Sequence, residues 1–329
     1  MILAGDIGGT HTRLAFFEGT PDHLDAVAIE VFPSQEHKGL AEIARIFLDK
    51  NHQNARAAVF GIAGAVIDNR VEATNLPWVV DAGSLASELG IDHVSLINDL
   101  LANAHGIAML DESDFVALNA GSPSPTGNRA LISAGTGLGE AGLLAVGNGY
   151  EPFPSEGGHV DFAPRNDLEI EMLRYMMDRF EHVSYERVLS GPGLHNIFQF
   201  LRDTGRGDEP GWLAQQIAEG DPSAAIATSA LEGTSDICVQ ALDIFVSVYG
   251  AEAGNLALKV VATGGVFVGG GIAPKILRKL SSSTFTKAFN AKGRMIRLLQ
   301  DIPVRVITND KTALLGAGRV AALALAGKP

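Results

Sequence analysis

The chain has 329 residues, of which 46% are hydrophobic and 19% are charged, so it is longer than one hydrophobic core usually organises and two domains are expected. Its formal net charge is -13 and its Lys and Arg residues are scattered, which argues against a surface that follows a nucleic-acid backbone. The single cysteine, Cys238, excludes an intrachain disulfide framework and a CxxC-type metal site.

The N-terminus lacks the features of a secretory signal. Residues 1–4 lead directly into Gly5 and Asp6, without a basic flank or a long apolar stretch. Glycines and charged residues interrupt each later apolar run before it reaches membrane-spanning length. We therefore expect a cytoplasmic protein whose partners include neither a membrane nor a nucleic acid.

The first predicted elements form a hairpin. Residues 2–10 and 12–17 are two extended runs joined by the glycine-rich turn GDIGGT. Residues 130–139 and 141–146 repeat this design around the sequence SAGTGLG. The two hairpins lie about one domain length apart, which suggests two lobes of related architecture.

Helices and strands alternate between the two hairpins, which predicts an α/β fold. Apolar residues from Leu40 to Phe47 mark a helix face, and residues 57–63 have the composition of a buried strand. A short helix is expected from Leu85 to Leu89, with Ser84 as its N-cap and Gly90 at its end.

The second half of the chain is predicted to carry longer helices. A turn-rich loop at residues 121–128 places a lobe boundary a little earlier, near residue 109. Apolar residues then recur at helical spacing in residues 168–180 and 237–248.

Two further elements are predicted near the C-terminus. A third glycine-rich turn, residues 263–274, lies between an apolar strand and a helix that is expected to begin near Pro274. A closing helix is expected after Asp310, its predicted N-cap, and its apolar face can pack on either lobe.

The turn GDIGGT has the composition of a phosphate-binding loop. Its glycines let backbone N–H groups approach phosphate oxygens closely, and Asp6 is placed to hold hydrated Mg²⁺. An ordinary hairpin turn, in which Asp6 hydrogen-bonds its own backbone, explains the motif equally well.

The turn SAGTGLG repeats this composition, with Thr136 available to face a phosphate. The run continues as a strand, unlike a dinucleotide-binding fingerprint, and no Gly-Lys-Ser/Thr follows, unlike a P-loop. In the third turn, Gly270 and Gly271 offer a flat surface for adenine or ribose. Close packing of a helix on a strand accounts for these glycines equally well.

Asp99 is the strongest candidate for acid–base chemistry. It follows a predicted strand, residues 94–97, and ligands of open α/β sheets usually bind at the carboxyl ends of strands. There it could accept the proton of a substrate hydroxyl. The competing interpretation, favoured by the residues alone, is an N-cap for a helix from Leu100 to Met109, and the two roles can coexist.

The loop PSEGGHVDF, residues 154–162, places Glu156 and His159 around two glycines, as recognition of hydroxyl groups requires. Such side chains in a loop are more often simply solvated. Glu186 precedes Ser190, which begins the next helix, and the residues alone give Glu186 no special role.

Six motifs then follow one another in a specific order: GDIGGT, LIND, SAGTGLG, PSEGGHVDFAP, ERVLSGPG and GGVFVGGGI. Together they closely resemble the signature of the bacterial glucokinase family, which are ATP-dependent hexokinases of the actin-like ATPase superfamily. The resemblance extends to LLGAG, which ends at residue 318. The zinc-binding cysteine cluster of a related group of sugar kinases and repressors is absent here.

The resemblance implies a two-lobed actin-like fold, related to ribonuclease H, with ATP and glucose meeting in the cleft between the lobes. The small domain would comprise residues 1–109 and 301–329, and the large domain residues 110–300. A homodimer, ATP and Mg²⁺ are also implied.

The resemblance also assigns roles by motif position, with Asp99 as the catalytic base for the glucose 6-hydroxyl and Asp6 as the Mg²⁺ ligand through water. The implied sugar-binding residues are Asn98, Asp99, Glu156, His159 and Glu186. The implied nucleotide-binding residues are Gly5, Asp6, Ile7, Gly8, Gly9, Thr10, Gly135, Thr136, Gly137, Gly270 and Gly271.

The function expected from the sequence is ATP-dependent phosphorylation of D-glucose to glucose 6-phosphate, which feeds glycolysis. A kinase of another hexose or amino sugar, a non-catalytic sugar sensor and an actin-like scaffold are the alternatives. A sensor would bind glucose without consuming ATP, whereas a scaffold would hydrolyse ATP without needing sugar. Only the kinase requires a base in addition to a loop suited to polyols.

Overall fold

The computed structural model describes residues 1–327, which divide into two compact units. Unit 1 comprises residues 1–112 and the segment from 309 onward, and unit 2 comprises residues 113–308. The segment from 301 to 308, expected in the small domain, lies in unit 2. Its strand Val304–Ile307 pairs with two other strands of that unit, which fixes it there.

Unit 1 is built on a five-stranded sheet. Its strands are β1 (Ile2–Ile7), β2 (His11–Thr20), β3 (His23–Pro33), β4 (Ala57–Ile62) and β7 (His93–Asn98), with β5 (Arg70–Glu72) and β6 (Val79–Asp81) forming a separate ribbon. Its helices before the crossing to unit 2 are α1 (Leu40–Asn51), α2 (Ala82–Leu89) and α3 (Asp99–Gly106). The sheet order is β3-β2-β1-β4-β7, in which β1, β4 and β7 are parallel.

Unit 2 is built on a six-stranded sheet of order β11-β10-β9-β12-β13-β8. Its strands are β8 (Phe115–Asn119), β9 (Arg129–Ala134), β10 (Leu138–Val146), β11 (Gly149–Ser155), β12 (Gly265–Gly269) and β13 (Val304–Ile307). Its helices are α4 (Asp167–Met177), α5 (Gly191–Asp203), α6 (Gly211–Glu219), α7 (Pro222–Glu232), α8 (Asp236–Val260), α9 (Leu277–Leu280), α10 (Ser283–Asn290) and α11 (Ile296–Asp301).

The two sheets share a topology. Each contains three consecutive antiparallel strands, β1 to β3 in unit 1 and β9 to β11 in unit 2. The first strand of each set pairs in parallel with a later strand, β4 or β12, which in turn pairs in parallel with β7 or β13. Unit 2 adds β8 at its edge, antiparallel to β13. The related architecture suggested by the two hairpins is therefore confirmed.

The chain closes with α12 (Thr312–Leu325), which belongs to unit 1. Its buried residues Leu314, Ala317 and Ala321 pack with apolar residues of β1 and β4. The predicted cap at Asp310 is wrong, because Lys311 occupies the N-cap position and makes no side-chain capping bond. The Asp310 carboxylate instead pairs with Arg13 at 2.9 Å.

The helix α8 is 25 residues long and, by length and composition alone, is apolar enough to cross a membrane. The expectation that no segment reaches this length is therefore wrong. Of its most apolar window, 72% is buried inside the protein, and Phe245 and Tyr249 lie in the core of unit 2. Burial of this kind is typical of the central helix of a folded domain.

Candidate active site

The turn between β1 and β2 carries the first glycine-rich motif. Gly8 N donates to the carbonyl oxygen of His11 at 2.9 Å, which closes the turn. A Cβ atom added to Gly9 would lie 2.6 Å from Cβ of Asn75, closer than real side chains come. Gly9 is therefore required by packing, and the backbone of the turn has a defined conformation.

Ser34 supports this turn from the segment that follows β3. Its hydroxyl donates to Gly8 O at 2.8 Å, and its backbone N–H donates to Thr10 O at 2.9 Å. Its hydroxyl also lies 3.0 Å from that of Thr12, and Ser34 and Thr12 are both fully buried. Sequence reasoning missed Ser34, since nothing in its local pattern indicates a contact with a distant turn.

Asp6 lies on β1, directly opposite Arg13 on β2. Its pKa is raised from the ordinary value of 3.8 to about 6, mainly because burial disfavours the charged form and next because Asp99 is negative. Arg13 lowers the pKa, and Asp310 raises it.

The surroundings of Asp6 fit a ligand of Mg²⁺. Residues 1–327 contain no group of three or more His, Cys, Asp or Glu side chains that could hold a metal ion by themselves. Mg²⁺ in phosphoryl-transfer sites is usually held by one or two carboxylates, with water and substrate phosphates completing its coordination. A carboxylate among other negative groups, beside a glycine-rich turn, meets this requirement.

Asp99 is the first residue of α3, at the carboxyl end of β7. The N-cap is Asn98, whose Oδ1 accepts hydrogen bonds from the backbone N–H groups of Leu100 at 2.9 Å and Leu101 at 3.3 Å. The interpretation of Asp99 as the N-cap is therefore wrong by one residue. Asn98 Nδ2 also donates to Gly64 O at 3.1 Å, so Asn98 fixes the start of the helix that carries Asp99.

Gly61 allows α3 to approach the strand that neighbours Asp6. Gly61 on β4 is in register with Asp6, and a Cβ atom added to it would lie 3.7 Å from Cα of Asp99 and 2.9 Å from Cβ of Ala102. The absence of a side chain at Gly61 thus brings Asp99 close to Asp6. Sequence reasoning placed Gly61 in a buried strand and missed this consequence.

In unit 2, the turn between β9 and β10 carries the second motif. Gly135 N donates to Gly137 O at 2.8 Å, and Gly135 O accepts from Gly191 N, at the start of α5, also at 2.8 Å. A Cβ atom on Gly135 would meet nothing within 4 Å, and Thr136 is exposed. One face of the turn is therefore open to a ligand.

Glu186 connects this turn to the loop that carries His159. Glu186 Oε2 accepts a hydrogen bond from Leu138 N at 2.9 Å, and Oε1 lies 3.9 Å from His159 Nδ1. A Cβ atom on Gly137 would lie 2.5 Å from Oε2 of Glu186. The structure therefore brings Glu186, His159 and the second glycine-rich turn together.

The segment 156–159, here called the 156–159 loop, ends in a short 3-10 turn over Gly157–His159. Its two glycines are buried, whereas Glu156 and His159 are exposed. A Cβ atom on Gly158 would lie 2.0 Å from Leu138 O, so the loop packs tightly on β10. The buried glycines present the two polar side chains at the surface.

The third glycine-rich turn lies beside the end of β9. Gly270 has a φ of +85°, in the region that favours glycine, and Ile272 N donates to Ala134 O at 3.3 Å. Gly271 has open space where a side chain would stand. The helix expected near Pro274 begins only at Leu277 and is four residues long, so its N-terminus does not follow Gly271 directly.

Each unit thus gathers its own share of the predicted residues. In unit 1 these are the first glycine-rich turn with Asp6, Asn98 and Asp99, and in unit 2 they are the other two glycine-rich turns with Glu156, His159 and Glu186. No local pattern predicts the ion pair between Arg13 and Asp310, because these residues are far apart in the chain.

Comparisons with known proteins give a consistent result. The sequence model of the Glucokinase family matches residues 3–324. The glucokinase of Nostoc sp. (strain PCC 7120) is 44% identical, over 98% of this chain and 99% of the relative. The crystal structure of a glucokinase from an Antarctic psychrotroph matches with a TM-score of 0.85 and 30% identity, covering 97% of this chain and 98% of the other.

A second solved structure, the glucokinase of Balamuthia mandrillaris in complex with glucose, matches with a TM-score of 0.79. It covers 98% of this chain and 93% of the other, and at 20% identity it supports the fold alone. The family match and the similarity to the Nostoc protein both span nearly the whole chain. This protein therefore belongs to the glucokinase family and has its actin-like ATPase fold.

Proposed function

We propose that this protein is a glucokinase, which transfers the γ-phosphoryl group of ATP to the 6-hydroxyl of D-glucose. The observation that carries the proposal is the position of Asp99 at the carboxyl end of β7, near Asp6, with helix capping performed by Asn98. Membership of the glucokinase family supplies the reaction class, and the Nostoc relative is itself named a glucokinase.

In the proposed mechanism, Asp99 accepts the proton of the 6-hydroxyl as its oxygen attacks the γ-phosphorus in line. Glu156, His159 and Glu186 bind the other hydroxyls, and Asn98 adds an amide N–H while holding the start of α3. Exclusion of water matters here, because water is a competing acceptor of the phosphoryl group.

The nucleotide is proposed to lie on the glycine-rich turns. The first turn, residues 5–10, and the second, Gly135 to Gly137, would bind phosphates through backbone N–H groups, and Gly270 and Gly271 would adjoin the adenosine. Asp6 would hold Mg²⁺ through water, and the bound ion would neutralise charge on the phosphates.

The product identifies the reaction. With ATP and glucose, ³¹P NMR of the product should show phosphate on the 6-oxygen, and ADP should form in equal amount. A 1-phosphate product would contradict the role given to Asp99. Faster turnover of mannose, fructose, glucosamine or N-acetylmannosamine than of glucose would replace glucose as the substrate and leave the kinase class intact.

We also propose that the enzyme is a cytoplasmic homodimer that supplies glucose 6-phosphate to glycolysis, on the basis of its family. Light scattering coupled to size-exclusion chromatography should give twice the mass of one chain. A monomer at the concentrations used for activity would contradict the proposed assembly. Cell fractionation should recover the activity with the cytosol.

A further inference from the structure

Two buried acidic side chains, Glu140 on β10 and Glu252 on α8, lie beside each other in unit 2, and Glu140 packs against the 156–159 loop. Glu140 is 1% exposed, and Glu252 is fully buried. Glu252 is well partnered, because it accepts hydrogen bonds from Lys259 Nζ at 2.9 Å and Asn255 Nδ2 at 2.7 Å. No donor group of the described residues reaches either carboxyl oxygen of Glu140, so its one available hydrogen bond is with the Glu252 carboxyl group, which requires one of the two to be protonated. Such a buried group is costly, so it needs a reason for its position.

Glu140 is in direct contact with the middle of the loop. A Cβ atom added to Gly157 would lie 2.0 Å from Glu140 Oε2, so the carboxyl group fits against a residue that has no side chain. Gly157 N also donates to Ser155 Oγ at 3.0 Å. The backbone between Glu156 and His159 therefore rests on the Glu140 side chain.

We propose that Glu140 is a positioning residue for sugar binding, which supports Gly157 so that Glu156 and His159 keep the orientation in which they bind hydroxyl groups. This inference rests on the proposed function, since it concerns the same sugar. Glu140 immediately follows the SAGTGLG motif, so the same strand also connects the loop to the second glycine-rich turn.

The protonation state of Glu140 sets the strength of this support. Burial, the negative charge of Glu252 and a hydrogen bond with the Glu252 side chain raise the pKa of Glu140 from 4.5 to about 8, while Lys259 lowers it. The titratable groups that face it from α8 are Glu252, Lys259 and the buried Tyr249. The raised pKa favours the uncharged acid, which packs against Gly157 without placing a second negative charge beside Glu252.

Space for water lies beside the Glu140 carboxyl group. A cavity of about 410 Å³ adjoins the carboxyl group, and its lining includes Glu140, Phe153, Glu156, Gly157 and Lys259. A carboxylate formed there would attract water into the cavity, because an isolated buried charge is unfavourable. The loop residues that line the cavity would then move, and the affinity for sugar would fall.

The test compares how the KM for glucose depends on pH in three variants and in the wild type. Glu140→Gln has the shape of the uncharged acid and cannot ionise, whereas Glu140→Ala removes the support. Glu151→Gln changes an exposed residue of the neighbouring strand β11 and serves as the matched control. For each protein, the KM for glucose, the KM for ATP and kcat are measured on both sides of pH 8, together with hydrogen–deuterium exchange of residues 153–162.

In the wild type and in Glu151→Gln, the KM for glucose should rise on the order of tenfold above about pH 8, with a smaller change in the KM for ATP. Glu140→Gln should keep a low KM across this range, and Glu140→Ala should have a high KM throughout. Exchange in the loop should increase above pH 8 in the wild type but not in Glu140→Gln.

A KM for glucose that rises equally in Glu140→Gln and the wild type would overturn the proposal. So would a Glu140→Ala variant that loses thermal stability and keeps its KM. The exchange measurement needs no sugar, so it shows whether Glu140 stabilises the loop even if the wild type phosphorylates no glucose. Failure of the proposed function is thereby distinguished from failure of this inference.

Discussion

Asp99 carries the chemistry at the scale of single residues, and its replacement is the sharpest test of its role. Asp99→Asn should lower kcat by roughly 10² to 10⁴-fold, the usual contribution of a general base, while the KM for glucose changes little. Asp92→Asn, an exposed residue of the loop before β7, is the control. An Asp99→Asn enzyme with wild-type turnover would show that another group accepts the proton.

The raised pKa of Asp6 predicts how stability depends on pH. Its folded-state pKa of about 6 lies above the ordinary value of 3.8, so the folded state binds this proton more tightly than the unfolded chain. The stabilisation from Asp6 is therefore complete below about pH 4 and is lost as the pH rises through about 6. Without Mg²⁺, the Tm of Asp6→Asn relative to that of the wild type should therefore increase between these pH values.

The matched control for this measurement is Asp22→Asn, in the exposed turn between β2 and β3, which should follow the wild type. Addition of Mg²⁺ and ATP at neutral pH should raise Tm of the wild type more than that of Asp6→Asn. Identical pH dependence of Tm in the wild type and in Asp6→Asn would show that the pKa of Asp6 is not raised by folding. Equal stabilisation of the wild type and Asp6→Asn by Mg²⁺ and ATP would show that Asp6 does not hold the metal ion.

At the scale of elements, the approach of α3 to β4 places Asp99. Gly61→Ala adds a methyl group 2.9 Å from Cβ of Ala102, so the start of α3 must shift. We expect a loss of stability of about 1–3 kcal/mol, typical of overpacking, and a lower kcat. Denaturant unfolding and steady-state kinetics measure the two effects.

Gly39→Ala is the control for this change, since a Cβ atom there would meet nothing within 4 Å. A Gly61→Ala enzyme with unchanged stability and kcat would show that α3 is not fixed by this contact. A loss of stability without a loss of kcat would show that the position of Asp99 tolerates the shift.

The elements also show where prediction from sequence succeeded and where it failed. The hairpins and the buried strand at 57–63 were recognised, because apolar periodicity and glycine turns are local signals. Two predicted N-caps are wrong. Asn98 and not Asp99 caps α3, and Asp81 and not Ser84 caps α2. Several polar residues can cap one helix, and the choice depends on the backbone conformation at a single position.

The contacts around the candidate site were not predictable in the same way. Ser34 reaches Gly8 across 26 positions, and Glu186 reaches Leu138 across 48. Both depend on how strands and loops pack, which no local pattern encodes. The residues alone gave Glu186 no role, and only the ordered set of motifs in the resemblance included it.

At the scale of the whole molecule, the two units repeat one sheet topology, and each carries at least one glycine-rich turn together with polar side chains of the candidate site. The repeated hairpins were visible in the sequence. The second crossing between the units was predicted too early, because the strand Val304–Ile307 completes the sheet of unit 2 before the chain returns to unit 1.

The measurement that tests the central claim most directly is ADP release by the purified protein with Mg²⁺ and ATP, in the presence and absence of glucose. We predict slow release without sugar and a large increase with glucose, lost in Asp99→Asn. Equal release with and without glucose would favour a scaffold that uses ATP for assembly. No release under either condition, with a Tm still raised by glucose, would contradict the kinase and identify a sugar sensor.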